Sequence, residues 1–243
     1  MADLARRDRR ARGSVRLKAA LKAAVRSVWD YVRNAPATFS WLAALLVTTV
    51  VMNQFSPQFR HRFVLHRSTN LHELSHNPVR VLISSALWID GGHWWPYLFL
   101  YTVFHAPAER WLGTARWLAV VVVSHVGATY ISQSVVYYDI RHGTAPSSAA
   151  FIPDIGVSYA LAGVEGVLTF LIASPWRYLY AAVLIVFYGD PVLRNSGYTA
   201  FTDIGHFTAL LLGLACFPLT RGRPGSVDPL VSARAAWASL RSG

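Results

Sequence analysis

The sequence predicts an all-α membrane protein, a bundle of six spanning helices with a long loop after the first. Three observations carry that expectation. Only 14% of the 243 residues are charged and 53% are hydrophobic, whereas a soluble domain carries about 25% charged residues. Six apolar runs lie near the length of about 20 residues that a helix needs to cross the hydrocarbon. The basic residues are unevenly placed, with ten of the 23 Lys and Arg before residue 35.

The N-terminal segment comes first. In "RRDRRARGSVRLKAALKAAVRSVWDYVR" residues 1–14 read as a solvated tail. From about residue 15, Leu21, Val25, Val28 and Val32 share one helical face while Lys18, Lys22 and Arg26 form a row on another. Residues 1–35 are therefore expected to form a basic cytoplasmic tail with an interfacial helix. Anionic lipid of the inner leaflet attracts such a helix by roughly 1 kcal/mol per basic side chain. The placement of the +11 formal charge thus points to a membrane surface and away from nucleic acid. The segment does not read as a cleavable signal peptide, because no small-residue cleavage site follows the first apolar run.

Spans are expected near 37–55, 92–107, 115–135, 154–173, 175–190 and 199–219, making a membrane domain of residues 36–219 and a C-terminal tail of 220–243. The second is short, bounded by Gly91-Gly92 and Pro107, and the fourth and fifth meet at a tight turn, Ser174-Pro175. Six spans place both termini on one side. Seventeen Lys and Arg then fall on the terminal side and six on the other. The positive-inside rule puts the termini in the cytoplasm, with the plasma membrane as the expected location. No internal repeat supports a transporter. Cys216 is the single cysteine, so no intrachain disulfide forms, and it is expected to pack between helices.

Polar residues at membrane depth are functional candidates. Ser158 lies about one turn into the fourth span and His206 about two turns into the sixth. A serine and a histidine at matching depth are what a nucleophile–base pair requires. Small residues recur every four positions beside each: Ser158, Ala162 and Gly166 in one helix, Gly205, Ala209 and Gly213 in the other. Such strips let two backbones approach closely. If they face each other, Ser158 and His206 come within hydrogen-bond reach; ordinary small-residue packing explains the same strips.

The ordered motifs resemble the rhomboid family of intramembrane serine proteases. "GVSY" sets Ser158 at the family's nucleophile position, with Gly163 five residues on, and "GHFTALLLG" sets His206 at the base position. His93 matches the histidine of the family's HxxxN motif, and Glu109 to Gly113 match its ExxxG. Arg80 stands where the first loop of the family has arginine. The similarity covers roughly residues 78–216 and implies a six-transmembrane-helix rhomboid-like bundle. It also implies an endopeptidase that cleaves membrane-anchored substrates near the outer leaflet. Ser158 would attack and His206 would take its proton. His93, Tyr97, Tyr159 and Gly156 would line the oxyanion and substrate pocket. No metal or other cofactor is called for, and the partners implied are transmembrane or membrane-anchored proteins.

Three positions depart from the family pattern. Tyr97 replaces an asparagine, Tyr159 replaces the glycine after the serine, and Ala162 stands where an aromatic residue often stacks on the histidine. A non-catalytic binder of transmembrane clients, a pseudoprotease on the same fold, therefore stands beside the protease. Tyr159 could supply the missing ring from another direction.

A separate pattern competes. "HELSH" at residues 72–76 matches the zinc-protease motif HExxH, which needs a helix so that both histidines reach one metal. His72 and His76 would be ligands, Glu73 the base, and Asp90 a third ligand. Asn70 is a fair N-cap, but Pro78 limits the helix to about two turns in the first loop. The pattern reads better as a short interfacial helix with His72 and His76 toward water and Leu71 and Leu74 toward lipid. Asp154 and Asp203 are expected to cap the fourth and sixth helices. His105 and His125 are expected to hydrogen-bond between helices, and Glu109 and Arg110 to pin the turn after the second span.

Overall fold

The computed structural model describes residues 2–195, 197–223 and 227–241, with side chains from Lys18 onward except Asp90 and several in the last helix. The described residues form α-helices joined by short turns, with one isolated bridge and no strand. In order these are α1 (Ala2–Arg33), α2 (Pro36–Met52), α3 (Pro57–Arg67), α4 (Leu71–His76), α5 (Pro78–Ser85) and α6 (Trp95–Leu100). Then follow α7 (Ala106–Leu112), α8 (Thr114–Arg141), α9 (Val157–Leu168), α10 (Trp176–Arg194), α11 (Phe201–Ala215) and α12 (Pro229–Arg241). All six apolar runs are helical. Among the described residues, α8 is by length and composition the one straight helix able to cross a membrane, and α1 with α2 form a bent pair.

Helix α1 starts at Ala2 rather than after a tail and leaves α2 at 92°. Its apolar Leu21, Val25 and Val28 are uncovered by protein, while the Tyr31 hydroxyl donates to Thr102 O at 2.7 Å. Pro36 suits the first turn of α2, where no amide donor is needed. The opening amides of α2 find a partner in Glu109: Ala37 N and Thr38 N donate to its two carboxylate oxygens at 3.0 and 2.7 Å. Thr114 Oγ1 adds a third bond at 2.8 Å. One buried carboxylate therefore ties the start of α2 to the α7–α8 turn and sits at the positive end of the α2 dipole. Gly113, at φ +82°, makes that turn with a backbone that side-chain-bearing residues rarely adopt.

The second apolar run is not a simple helix. Between α6 and α7 the chain makes a π-helical turn, Tyr101–His105. Pro107 explains it, because its nitrogen cannot donate to the carbonyl one turn back and the ladder must slip there. The slip buries Tyr101 and His105 completely, their rings stacked at 4.1 Å and edge-on to Trp41. No described group bonds either ring nitrogen of His105, so it is not the inter-helix hydrogen-bonder expected. His125 is one: its Nε2 lies 2.9 Å from Leu82 O, between α8 and α5.

At the centre is α9, with α8 and α11 packed against it. Eleven of its twelve residues are buried. Ahead of α12, Val227 pairs with the segment that follows α9: Val227 N donates to Leu171 O at 2.7 Å and Ala173 N to Val227 O at 3.0 Å. Arg116 Nη1 holds Leu219 O and Arg221 O, each at 2.9 Å. Cys216 is buried in the core formed with Trp117, Val120, Val164 and Leu168.

Candidate active site

Helices α9 and α11 run parallel and touch backbone to backbone. A Cβ on Gly166 would meet Leu210 O at 2.5 Å and Leu214 N at 3.1 Å, and one on Gly213 would collide with the Gly163 backbone. Ala162 and Ala209 pack in one buried cluster with Ala128 and Tyr159. The expected small-residue strips thus do face each other, joined by Gly163, whose open side receives Ser124 of α8. This register sets the first turn of α9 level with the first turns of α11.

Ser158 is the residue of α9 that is not buried, and His206 is half-buried too. The two occupy the same level on adjoining helices. They are not hydrogen-bonded to each other among the described residues: Ser158 Oγ donates to Ile155 O at 3.4 Å, a long contact. His206 is held by rings instead. Tyr159 meets it edge-on at 5.0 Å and Tyr188 of α10 stacks at 6.0 Å with 24° between planes. His206 thus meets two tyrosine rings, one from α9 and one from α10, where Ala162 offers none.

Tyr188 and its support were not legible as site residues. Its hydroxyl donates to Glu165 Oε2 at 2.7 Å, and Tyr180 donates to Glu165 O at 3.2 Å. The available signal was Glu165 itself, an ionisable residue inside an apolar run. Tyr159 is fully buried, its ring on Gly205. The hydroxyl makes no strict hydrogen bond among the described residues and lies among Asp154, Ser132 and Thr202.

The remaining predicted residues come from α6, the turn before it and the start of α9. His93 is exposed, just ahead of α6. Tyr97 is half-buried beside Val157 and Tyr101. Gly156 is the N-cap of α9, and the His125 ring occupies the space a side chain would need. Asp154 is therefore not the cap. It is buried, accepts from Gln133 Nε2 at 3.0 Å and anchors the first loop through Thr69 N, which donates to its carbonyl at 2.8 Å. Asp203 is not a cap either: Ala200 holds that position, and Asp203 accepts from Asn195 Nδ2 at 2.6 Å.

The zinc-like pentapeptide forms α4 with Asn70 as its N-cap, the side chain accepting from Glu73 N at 2.9 Å. His72 and His76 are exposed, rings 4.6 Å apart, and His76 Nδ1 lies 2.8 Å from His72 O. Glu73 points the other way. It is buried between His66 Nδ1 and Arg80 Nη2, each at 2.7 Å. Burial raises its carboxyl, but the His66 hydrogen bond and the charges of Arg80, His66 and His72 outweigh this and hold it below the usual carboxylate range. A carboxylate so engaged is a loop clasp, not a free base. The Asp90 side chain lies outside the described ones, and no described trio of His, Cys, Asp or Glu is grouped to hold a metal ion. Leu74 is buried and Leu71 packs on Val136 and Phe201, toward protein rather than lipid.

The model of a family described as rhomboid-like protein matches residues 30–226. The chain belongs to the rhomboid-like family. No curated protein and no solved structure matches it. Family membership implies a membrane-embedded chain and a fold shared by intramembrane proteases and pseudoproteases.

Proposed function

We propose that the protein is an intramembrane serine endopeptidase that cleaves membrane-anchored substrates, with Ser158 as nucleophile and His206 as base. One observation carries the reading: α9 is buried along its length except at Ser158. That serine is level with a histidine fixed by two tyrosine rings. In the reaction Ser158 Oγ attacks the scissile carbonyl carbon as His206 accepts its proton. The amide C–N bond then breaks, the leaving amine takes that proton from His206, and water hydrolyses the acyl-serine. His93 and Tyr97, before and within α6, together with the Ser158 amide, are the donors proposed for the oxyanion, each typically worth about 3–4 kcal/mol. The Ser158–His206 bond forms on substrate binding, since catalytic hydrogen bonds are often long without substrate.

In this reading the six apolar helices cross the membrane with both termini in the cytoplasm and α1 on the anionic inner leaflet. Seventeen basic residues on the terminal side against six support that orientation.

A second reading has its own observation. Ser158 Oγ bonds Ile155 O and not His206, as a non-catalytic binder of transmembrane clients would allow. Fluorophosphonate labelling of detergent-purified protein decides between them. The protease predicts labelling of wild type that is lost in both Ser158→Ala and His206→Ala and unchanged in His72→Ala with or without chelator. Well-folded wild type that takes no label assigns the chain to the binder.

A further inference from the structure

A cavity of about 380 Å³ lies at the opposite end of α2 from α1. That volume is within the range of ligand sites, about 300–1,000 Å³. One face of α3 forms a wall, with Pro57, Arg60, His61 and Val64 at helical spacing. The end of α2 gives Met52 and its C-cap Asn53, and Trp88, Ile89, Gly91 and Gly92 close the far side. The cavity lining carries one guanidinium, Arg60, one imidazole, His61, and no carboxylate among the described side chains.

Arg60 is placed rather than loose. Its Nη1 donates to Asn53 Oδ1 at 3.0 Å, and Asn53 Nδ2 donates to Gly92 O at 3.2 Å. Gly92, at φ +70°, permits this approach, since a Cβ there would lie 2.9 Å from Asn53 Oδ1. The guanidinium has five N–H donors in a fixed fork suited to phosphate oxygens. No described acidic group forms an ion pair with it. A half-buried arginine set over an apolar floor of Met52, Val64 and Ile89 suits an anion carried on an apolar stem.

The surroundings favour a lipid as the source. On the opposite face of α3, Phe59 and Phe63, with Phe55 just ahead of the helix, stack in a ladder at 4.5 and 6.1 Å that ends edge-on to Trp88 at 4.6 Å. Phe55 and Phe59 are exposed. Aromatic side chains collect at both boundaries between hydrocarbon and headgroups, and at that depth an arginine fork meets the phosphates of lipid headgroups. We propose that this cavity holds the phosphate of an anionic glycerophospholipid on Arg60 and His61, with the first acyl carbons against Met52, Val64 and Ile89. The site is independent of whether Ser158 is reactive.

The test is native mass spectrometry of the full chain in detergent with phosphatidylglycerol or phosphatidylcholine of matched chains. Wild type is expected to retain phosphatidylglycerol in preference. That preference falls about tenfold in Arg60→Gln, the usual effect of losing one charge-assisted bond, and less in Arg60→Lys. A triple variant, Lys18→Gln, Lys22→Gln, Arg26→Gln, retains the bound lipid, which separates this site from the basic face of α1. Equal retention by wild type and Arg60→Gln overturns the site. Displacement by millimolar inorganic phosphate would make it a site for free anions, and displacement by a short acidic peptide a peptide site; either overturns the lipid assignment.

Discussion

Helices α11 and α10 both pack beside the helix that carries Ser158, but by different physics. α11 touches α9 through backbone, at Gly163, Gly166 and Gly213, so its position admits almost no adjustment. α10 buries only Leu184 among its described residues and reaches α9 through the Tyr180 and Tyr188 hydroxyls on Glu165. His206 lies on the fixed helix and one of its two supporting rings on the loosely held one. In a bilayer, packing gains no hydrophobic driving force between helices, so close backbone contact sets rigidity and hydroxyl contacts set what can separate. His206 is therefore held rigidly while one of its walls is displaceable.

Placing the same substitution on each helix breaks the comparison most sharply. Gly213→Ala puts a methyl group into the Gly163 backbone, which no rotamer change relieves. Forced overpacking costs about 1–3 kcal/mol and more where backbone must move, a fall in Tm of roughly 2–12 °C for a chain of this size. Gly189→Ala on α10 meets only the Phe207 ring, at 3.4 Å. The gain in helix propensity offsets that contact, and Tm should stay within about 2 °C of wild type. Thermal unfolding in detergent checks both. Equal losses would mean that α10 is packed as tightly as α11.

The next effect is smaller and local. Tyr188→Phe keeps the ring on His206 but removes the bond to Glu165 Oε2. Hydrogen bonds between membrane helices average about 0.6 kcal/mol and reach about 1.7, so Tm falls modestly. Amide hydrogen exchange should rise along α10 and stay unchanged along α9 and α11. A rise spread evenly over all three would show that Glu165 holds the whole bundle and not one helix.

These contrasts mark what the sequence could and could not yield. Composition and apolar runs were enough for an all-helical membrane chain, and four-residue spacing of small residues was enough for the α9–α11 contact. Asn70 was legible as a cap because its chemistry is local. Asp154 and Asp203 sit at equally suggestive positions but serve distant partners, Gln133 and Asn195. Nothing in a linear pattern distinguishes a carboxylate that caps its own helix from one that holds another segment. The π-turn was hidden for a related reason: Pro107 signals an end to regular helix, not which way the ladder slips. Tyr188 was missed because its role depends on the rotation of α10, which only the packed bundle fixes.

The first loop offers the mildest test, and its sign follows from the clasp geometry. Glu73 is held below the usual carboxylate value of 4.5 by its bonds to His66 and Arg80, which exceed the opposing effect of burial. A carboxyl depressed in the folded state contributes stability that is present above its unfolded value and is lost as pH falls through the folded one. Wild type should therefore lose loop stability below about pH 4.5, and Glu73→Gln should remove that part of the acid sensitivity. His66 and Arg80 expose 74% and 47% of their side chains, so solvent screens the clasp. The effect at neutral pH is small, a Tm change of roughly 1–2 °C. Limited proteolysis between α3 and α5, followed from pH 7 to pH 3, reads it directly. Cleavage that rises with acid in wild type and rises clearly less in Glu73→Gln, from a baseline at pH 7 only slightly higher, would identify the glutamate of HELSH as a structural clasp. Acid-induced cleavage equal in both proteins would remove Glu73 from that role and leave the acid response to other groups.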